Sequence, residues 1–238
     1  MGLTLCLLAV CANSTQVTLQ GGVVTYRGLI DANSVNQVEK LLLQNPAITT
    51  LAIESQGGDV AVGMRFGDLV RTHLLNVEVV GKICASSCAN YIFVSGNKKT
   101  IAPGAVVAWH GSPLRPESIP VTETTIDAEG NSESVTFEGK TLEKYLRRPE
   151  VAAGNARARI EQLAFFRARG MDGRVTTFGQ EVGCGCLWAI SIDDMATFGI
   201  KNVHAPDNYP ESEDWWEDAL LMKIRLDNYP DYLARLKE

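Results

Sequence analysis

In Thr49-Thr50-Leu51-Ala52-Ile53-Glu54-Ser55-Gln56-Gly57-Gly58, a β-branched and apolar run of the kind that fills a buried strand ends on two glycines. A strand stops there and the backbone turns sharply. Adjacent glycines tolerate positive φ and the close approach of another chain, so their N–H groups can face a ligand instead of a sheet ladder. Such a turn is half of an oxyanion hole. Downstream, Val60, Met64, Leu69, Val70 and Leu74 fall at mixed three- and four-residue spacing. That spacing predicts a helix over 60–75 with its positive end at the same spot. Residues 76–80 read as the next strand.

Two further motifs follow in order. Gly81-Lys82-Ile83 opens into Cys84-Ala85-Ser86-Ser87-Cys88-Ala89-Asn90 and then Tyr91-Ile92-Phe93-Val94, a small-residue turn feeding an apolar helix of about two turns. A serine at such a turn can point its hydroxyl into a cleft, while the N–H of the next residue joins the glycine N–H around a developing oxyanion. Residues 100–102 and 105–109 read as strand pieces that deliver His110, placed to act as the base. A diglycine turn, a serine turn and a strand-end histidine are the parts of a serine hydrolase site.

Over residues 17–111 these motifs resemble the proteolytic subunit of the Clp protease and the wider Clp/crotonase superfamily. In that family a Ser-x-Gly-Gly turn supplies the oxyanion hole, an Ala-Ser-Met turn the nucleophile and a strand-end histidine the base. Ser55-Gln56-Gly57-Gly58-Asp59-Val60-Ala61-Val62-Gly63-Met64 matches the glycine turn and the helix after it. The resemblance implies Ser87 as nucleophile, His110 as base, and the backbone N–H groups of Gly58 and Cys88 as oxyanion donors. It places Ser55 and Gly57 on the substrate-binding side. It also implies self-association into a homo-oligomer and a peptide or protein substrate, with no cofactor. The likeness continues through Ile190-Ser191-Ile192-Asp193-Asp194-Met195-Ala196-Thr197-Phe198-Gly199-Ile200, similar to the family's late helix with its aromatic-Gly-aliphatic end. Where the family carries its third triad member, an aspartate, this chain has Leu187. An orienting carboxylate sets the histidine tautomer, and losing it in the worked serine-protease example costs about four orders of magnitude. Asp172, Glu181, Asp193 and Asp194 are the carboxylates that can substitute, and the sequence does not choose among them.

The 238 residues, 45% hydrophobic and 21% charged, suffice for one substantial globular core. A net charge of -6 leaves no basic footprint, which argues against nucleic acid as a partner. Residues 1–12 form an apolar run too short to span a bilayer, followed at once by Asn13-Ser14-Thr15-Gln16, as in the h-region of a signal peptide. Val10-Cys11-Ala12 suits cleavage before Asn13, and Leu8-Ala9-Val10-Cys11 is an imperfect lipobox that would attach a lipid anchor at Cys11. No Lys or Arg precedes the run, and a buried first strand is the alternative. The expectation is export to the periplasm or cell envelope.

Cys84, Cys88, Cys184 and Cys186 are an even set beside the nucleophile turn and the late segment, which in an oxidising compartment implies disulfides. The expected staple joins Cys84 or Cys88 to Cys184 or Cys186. A four-cysteine zinc site is the competitor.

Strand and helix patterns alternate from Gln16 onward, with a Gly21-Gly22 turn, a helix over 31–44 capped by Asp31 or Asn33, and Asn45-Pro46 stopping it. That order predicts an α/β fold of Clp/crotonase-like repeated ββα units with a largely parallel core sheet. The domain expected over 13–205 carries an insertion at 112–148. Within it, Val121-Thr122-Glu123-Thr124-Thr125-Ile126 and Ser134-Val135-Thr136-Phe137-Glu138 flank a β-hairpin turn, either a lid or substrate platform or a plain surface insertion. A helix over 155–170 is expected to bury Ile160, Leu163, Ala164 and Phe166 and to expose Arg157, Arg159, Arg167 and Arg169. A helical tail over 206–238 carries acidic residues at its start and Lys223 and Arg225 later, with Trp215, Ala219 and Met222 packed inward. The combined expectation is an exported serine hydrolase, an ATP-independent peptidase. The rivals are a catalytically silent peptide- or protein-binding protein and, more distantly, an acyl-CoA enzyme of the crotonase branch.

Overall fold

A computed structural model describes residues 15–126, 132–211 and 213–238, so the expected export signal at 1–12 and the tip of the hairpin lie outside the described residues. The chain opens with an antiparallel pair, β1 (Gln16–Gln20) and β2 (Val23–Arg27), joined at Gly21 and Gly22, which both take left-handed φ. From β2 onward the central sheet is parallel. β3 (Thr50–Ser55) lies beside β2, β4 (Asn76–Ala85) beside β3, β5 (Lys99–Ile101) beside β4, and the late strand β10 (Val203–His204) closes the far edge. Helices α1 (Ala32–Gln44) and α2 (Val60–Thr72) make the crossovers into β3 and β4. Asp31 caps α1, its carboxylate accepting the Ser34 N–H at 3.0 Å and the Ser34 hydroxyl at 2.6 Å. Asp59 does the same for α2, accepting the Val62 N–H at 2.8 Å, so α2 starts immediately after the diglycine turn. Leu51, Ile53, Val77 and Val79 of the sheet and Phe66 and Val70 of α2 are fully buried. Each such side chain contributes roughly 1.5–3 kcal/mol.

β4 runs past the end that the sequence suggests at Val80. Gly81 takes φ +68 and the Glu54 carboxylate accepts the Lys82 N–H at 2.9 Å, so the strand kinks instead of stopping. Its first half, Val77 to Val79, pairs with β5, and its second half, Ile83 to Ala85, pairs with β6 (Val106–Ala108). The kink therefore brings the ends of β3, β4 and β6 to one edge. After β4 comes a wide π-helical segment, Cys88–Phe93, buried throughout.

The insertion forms the expected hairpin, β7 (Val121–Ile126) against β8 (Ser132–Phe137), followed by α3 (Gly139–Leu146). The next helix, α4 (Pro149–Arg167), is longer than expected and rotated. It buries Gln162, Phe165 and Phe166 and leaves Ile160 and Leu163 exposed. Arg169, expected on a solvated face, is instead enclosed, its side chain 5% exposed. Its guanidinium lies 3.3 Å from the Phe165 ring centre and donates to Ser95 Oγ and Asp68 Oδ1, each at 2.8 Å. The remaining elements are α5 (Phe178–Glu181), β9 (Leu187–Ala189), α6 (Ile192–Thr197), α7 (Trp215–Asp218), β11 (Leu221–Lys223) and α8 (Pro230–Leu236). The tail is thus not one helix. β11 pairs in parallel with β9, Trp216 is buried, and Met222 is exposed, because the chain leaves α7 as a strand. No described helix is long and apolar enough to cross a membrane.

Removing Arg169 strands an acceptor on Ser95 and uncovers the Phe165 ring. Arg169→Ala is expected to lower stability by about 2–4 kcal/mol in urea denaturation, whereas Arg167→Ala on the exposed face stays within about 0.5 kcal/mol.

Candidate active site

The turns after β3 and β4 lie against each other. Ser86, the first residue beyond β4, takes φ +55, a left-handed conformation that L residues with a side chain seldom adopt. It is fixed from both sides, its N–H donating to the Ala108 carbonyl at 3.1 Å and its own carbonyl accepting the Asn90 N–H at 2.7 Å. A serine held this way between strand and helix has its hydroxyl lifted out of the turn. Among the described residues that hydroxyl has no hydrogen-bond partner, and Ser86 is half-buried.

Ser87 is different. It begins the helix, is 1% exposed, and its hydroxyl donates to the Gly58 carbonyl at 2.8 Å. The hydroxyl expected to serve as nucleophile is thus already hydrogen-bonded and shut from solvent. In Ala85-Ser86-Ser87 the serine that directly follows the alanine is Ser86. Cys88, the expected oxyanion donor, is fully buried and paired with Cys84. The N–H of Ser87, at the first position of the helix, has no intrahelical acceptor.

Gly57 packs on both serines. A Cβ added there would stand 2.6 Å from the Ser86 Cβ and 3.0 Å from the Ser87 nitrogen, at φ +104. Only glycine permits this approach. Gly58 accepts the Ser87 hydroxyl through its carbonyl and is exposed. Ser55 is 2% exposed and its Oγ accepts the Gly57 N–H at 3.1 Å, so it shapes the glycine turn and has no free face for substrate. Gly57, buried behind Ser86, likewise spaces the turns apart and is not itself presented to substrate.

His110 arrives from the neighbouring strand. Ala85 of β4 is in register with Ala108 of β6, so Ser86 and His110 leave adjacent parallel strands at the same end. The segment is then pinned to β9, with Trp109 and Trp188 exchanging two backbone hydrogen bonds of 2.8 Å and both indoles fully buried. This antiparallel bridge sets Leu187 opposite His110. Asn90 Nδ2 donates to the Gly111 carbonyl at 3.1 Å, tying the helix after Ser86 to the residue after His110.

The ring opens into a cleft of about 600 Å³ whose walls include Leu187, Gln180, Ile119, Pro120, Cys184 and Leu220. The side chain is reachable by solvent, yet the surrounding protein desolvates it and pushes its pKa below the ordinary 6.5, which favours the neutral, proton-accepting form. No charged side chain lines the cleft among the described residues. Asp172 is held by Arg174 at 2.7 Å, Glu181 by the Thr177 hydroxyl at 2.8 Å and by Arg235 at 3.6 Å, and Asp193 and Asp194 sit in the first turn of α6. None of these carboxylates reaches His110.

The cysteines pair locally, Cys84 with Cys88 and Cys184 with Cys186. The staple expected between the two segments is not formed, and neither is a four-thiolate site. Among the described residues there is no group of three or more His, Cys, Asp or Glu placed to hold a metal ion.

No curated protein matches the sequence. Several solved structures are similar to the chain in part, at low identity. A variant of the membrane-bound stomatin-specific protease 1510-N shares 13% identity over 77% of this chain and 78% of its own, with a TM-score of 0.42. A variant of ClpP1 from Listeria monocytogenes shares 20% over 79% and 92%, with a TM-score of 0.44. A methylmalonyl CoA decarboxylase shares 9% over 42% and 51%, with a TM-score of 0.34. The Clp protease family profile matches residues 10–133, just over half of the sequence, and the chain belongs to the Clp protease family.

Proposed function

We propose that the chain is a serine peptidase that works without an ATP-driven unfoldase, with Ser86 as nucleophile and His110 as base. The observation that carries this reading is the left-handed Ser86, backed by Gly57 and set at the same sheet edge as His110. Ser86 Oγ attacks the substrate carbonyl, His110 takes its proton and later returns it to the leaving amine, and water then releases the acyl group by the same route. The N–H of Ser87 and the diglycine turn at Gly58 hold the oxyanion. General-base help supplies roughly two to four powers of ten, and one oxyanion donor about 3 kcal/mol. No cofactor enters these steps.

The cleft volume falls in the range of small-ligand sites, and Ile119 and Pro120 on its rim run directly into β7. This supports the hairpin as a platform for short or flexible peptides. Two local cysteine pairs support an oxidising, envelope-side location, with lipid attachment at Cys11 and self-association as further parts of the same proposal. One observation favours a second reading, a silent peptide-binding protein: the residue opposite His110 is Leu187, not a carboxylate.

Hydrolysis of a chromogenic peptide or activated ester separates the two. Ser86→Ala is expected to lose at least about a hundredfold in kcat with the fold intact, while Ser87→Ala stays within about tenfold and loses about 1 kcal/mol of stability. Equal loss in both variants contradicts Ser86 as the nucleophile, and no turnover by the folded wild-type chain favours the binder.

The acid limb of kcat/KM reports His110. Its folded pKa is depressed, so the neutral base persists below the ordinary histidine value and activity is lost only as pH falls through that lower value. A pH profile with its acid midpoint above 6.5 would contradict the desolvated site.

A further inference from the structure

With Leu187 facing His110, no carboxylate meets the imidazole among the described residues and its own backbone is the one group that supports the charged ring, yet the same cleft wall holds an unused acceptor. Gln180 lines the cleft beside His110, and its Oε1 is buried without a hydrogen-bond partner among the described residues. A buried acceptor left unpaired calls for an explanation. The side-chain amide lies flat over Gly111, the residue after His110: a Cβ at Gly111 would meet Nε2 at 2.8 Å, Oε1 at 2.9 Å and Cδ at 3.0 Å. Gly111 takes φ +130, which glycine alone supplies comfortably.

The position of the amide is itself fixed. Gly179 packs face-on against the Trp188 indole, where any Cβ would collide with the ring. Phe178 is wedged 4.8 Å from Tyr232 and 5.8 Å from Tyr229. Trp188 in turn is bonded to Trp109, the residue before His110. One short path of packed backbone therefore sets Gln180 relative to the imidazole.

Resting on the peptidase reading above, we propose that Gln180 is the positioning residue of His110. A turn of the side chain about its own bonds would let its oxygen, unpaired in the structure, accept the hydrogen of one ring nitrogen in the role of a carboxylate, leaving the other nitrogen for Ser86. A neutral amide fixes the tautomer without stabilising the imidazolium as a carboxylate does. His110 is the sole titratable side chain of the cleft wall among the described residues, since Cys184 and Cys186 are paired there; Glu181, next to Gln180, is taken by Thr177 and Arg235.

The test uses the full chain labelled with nitrogen-15, read by long-range proton–nitrogen spectra of the His110 ring and by ester hydrolysis. The wild-type ring is expected in a single tautomer. Gln180→Leu mixes the tautomers and lowers kcat by about tenfold or more with KM changed less than about twofold. Gln180→Glu moves the acid limb to higher pH, because a carboxylate favours the charged imidazole. Mixed tautomers in the wild type, an unchanged ring and kcat in Gln180→Leu, or an unmoved acid limb in Gln180→Glu overturns the proposal. If Gln180→Leu does not fold, the glutamate variant decides. Wild-type protein with a single tautomer that Gln180→Leu disturbs, but with no ester turnover, sinks the hydrolase reading and leaves the Gln180 contact standing.

Discussion

The contact between Gly57 and the Ser86-Ser87 step governs the arrangement of this molecule. A parallel sheet delivers the turns after β3 and β4 to one edge, but they meet only because Gly57 has no side chain and Ser86 accepts a left-handed backbone. Close packing then sorts the two adjacent hydroxyls. Ser87 is buried against the Gly58 carbonyl and locks the turns together, and the Ser86 hydroxyl has no hydrogen-bond partner among the described residues. A strained, half-buried serine between strand and helix is stable only where its surroundings over-determine it. Here the surroundings are the bonds to Ala108 and Asn90, and the Cys84–Cys88 pair that brackets the turn.

The second element of the site is an exchange of function at the histidine. The Trp109–Trp188 bridge places position 187 opposite His110, and this chain fills it with leucine. The ring therefore sits in an apolar wall that lowers its pKa, so it stays neutral and able to take a proton, but loses the help of a carboxylate in bearing charge. On the proposed reading this makes a slow, undemanding hydrolase, in which orientation by the Gln180 amide stands in for electrostatic stabilisation.

Much of this was legible from residues alone, and the failures have physical causes. The strand ending at Gly57-Gly58, the helix after it, the Gly21-Gly22 turn and the β7–β8 hairpin follow from local pattern, because turn chemistry and apolar periodicity act within a few residues. The choice between Ser86 and Ser87 depends on one backbone dihedral, which spacing does not encode. The rotated face of α4 and the enclosed Arg169 depend on Phe165 and Asp68, the latter 101 residues distant in sequence. The tail misled because an acidic start and basic end fit a helix, while pairing with β9 made Leu221–Lys223 a strand. The staple expected between Cys84 or Cys88 and Cys184 or Cys186 failed for a related reason: lying near the same site does not say which sulfurs meet, and each cysteine pairs with its neighbour in sequence. Gln180 carried no motif at all, and only its buried, unpaired oxygen beside His110 brings it forward.

The most direct measurement is the site of covalent capture. Native protein treated with a fluorophosphonate, digested and sequenced by tandem mass spectrometry should carry the adduct on Ser86 and not on Ser87. An adduct on Ser87, or on neither serine in folded protein, would contradict the sorting of the two hydroxyls on which this account rests.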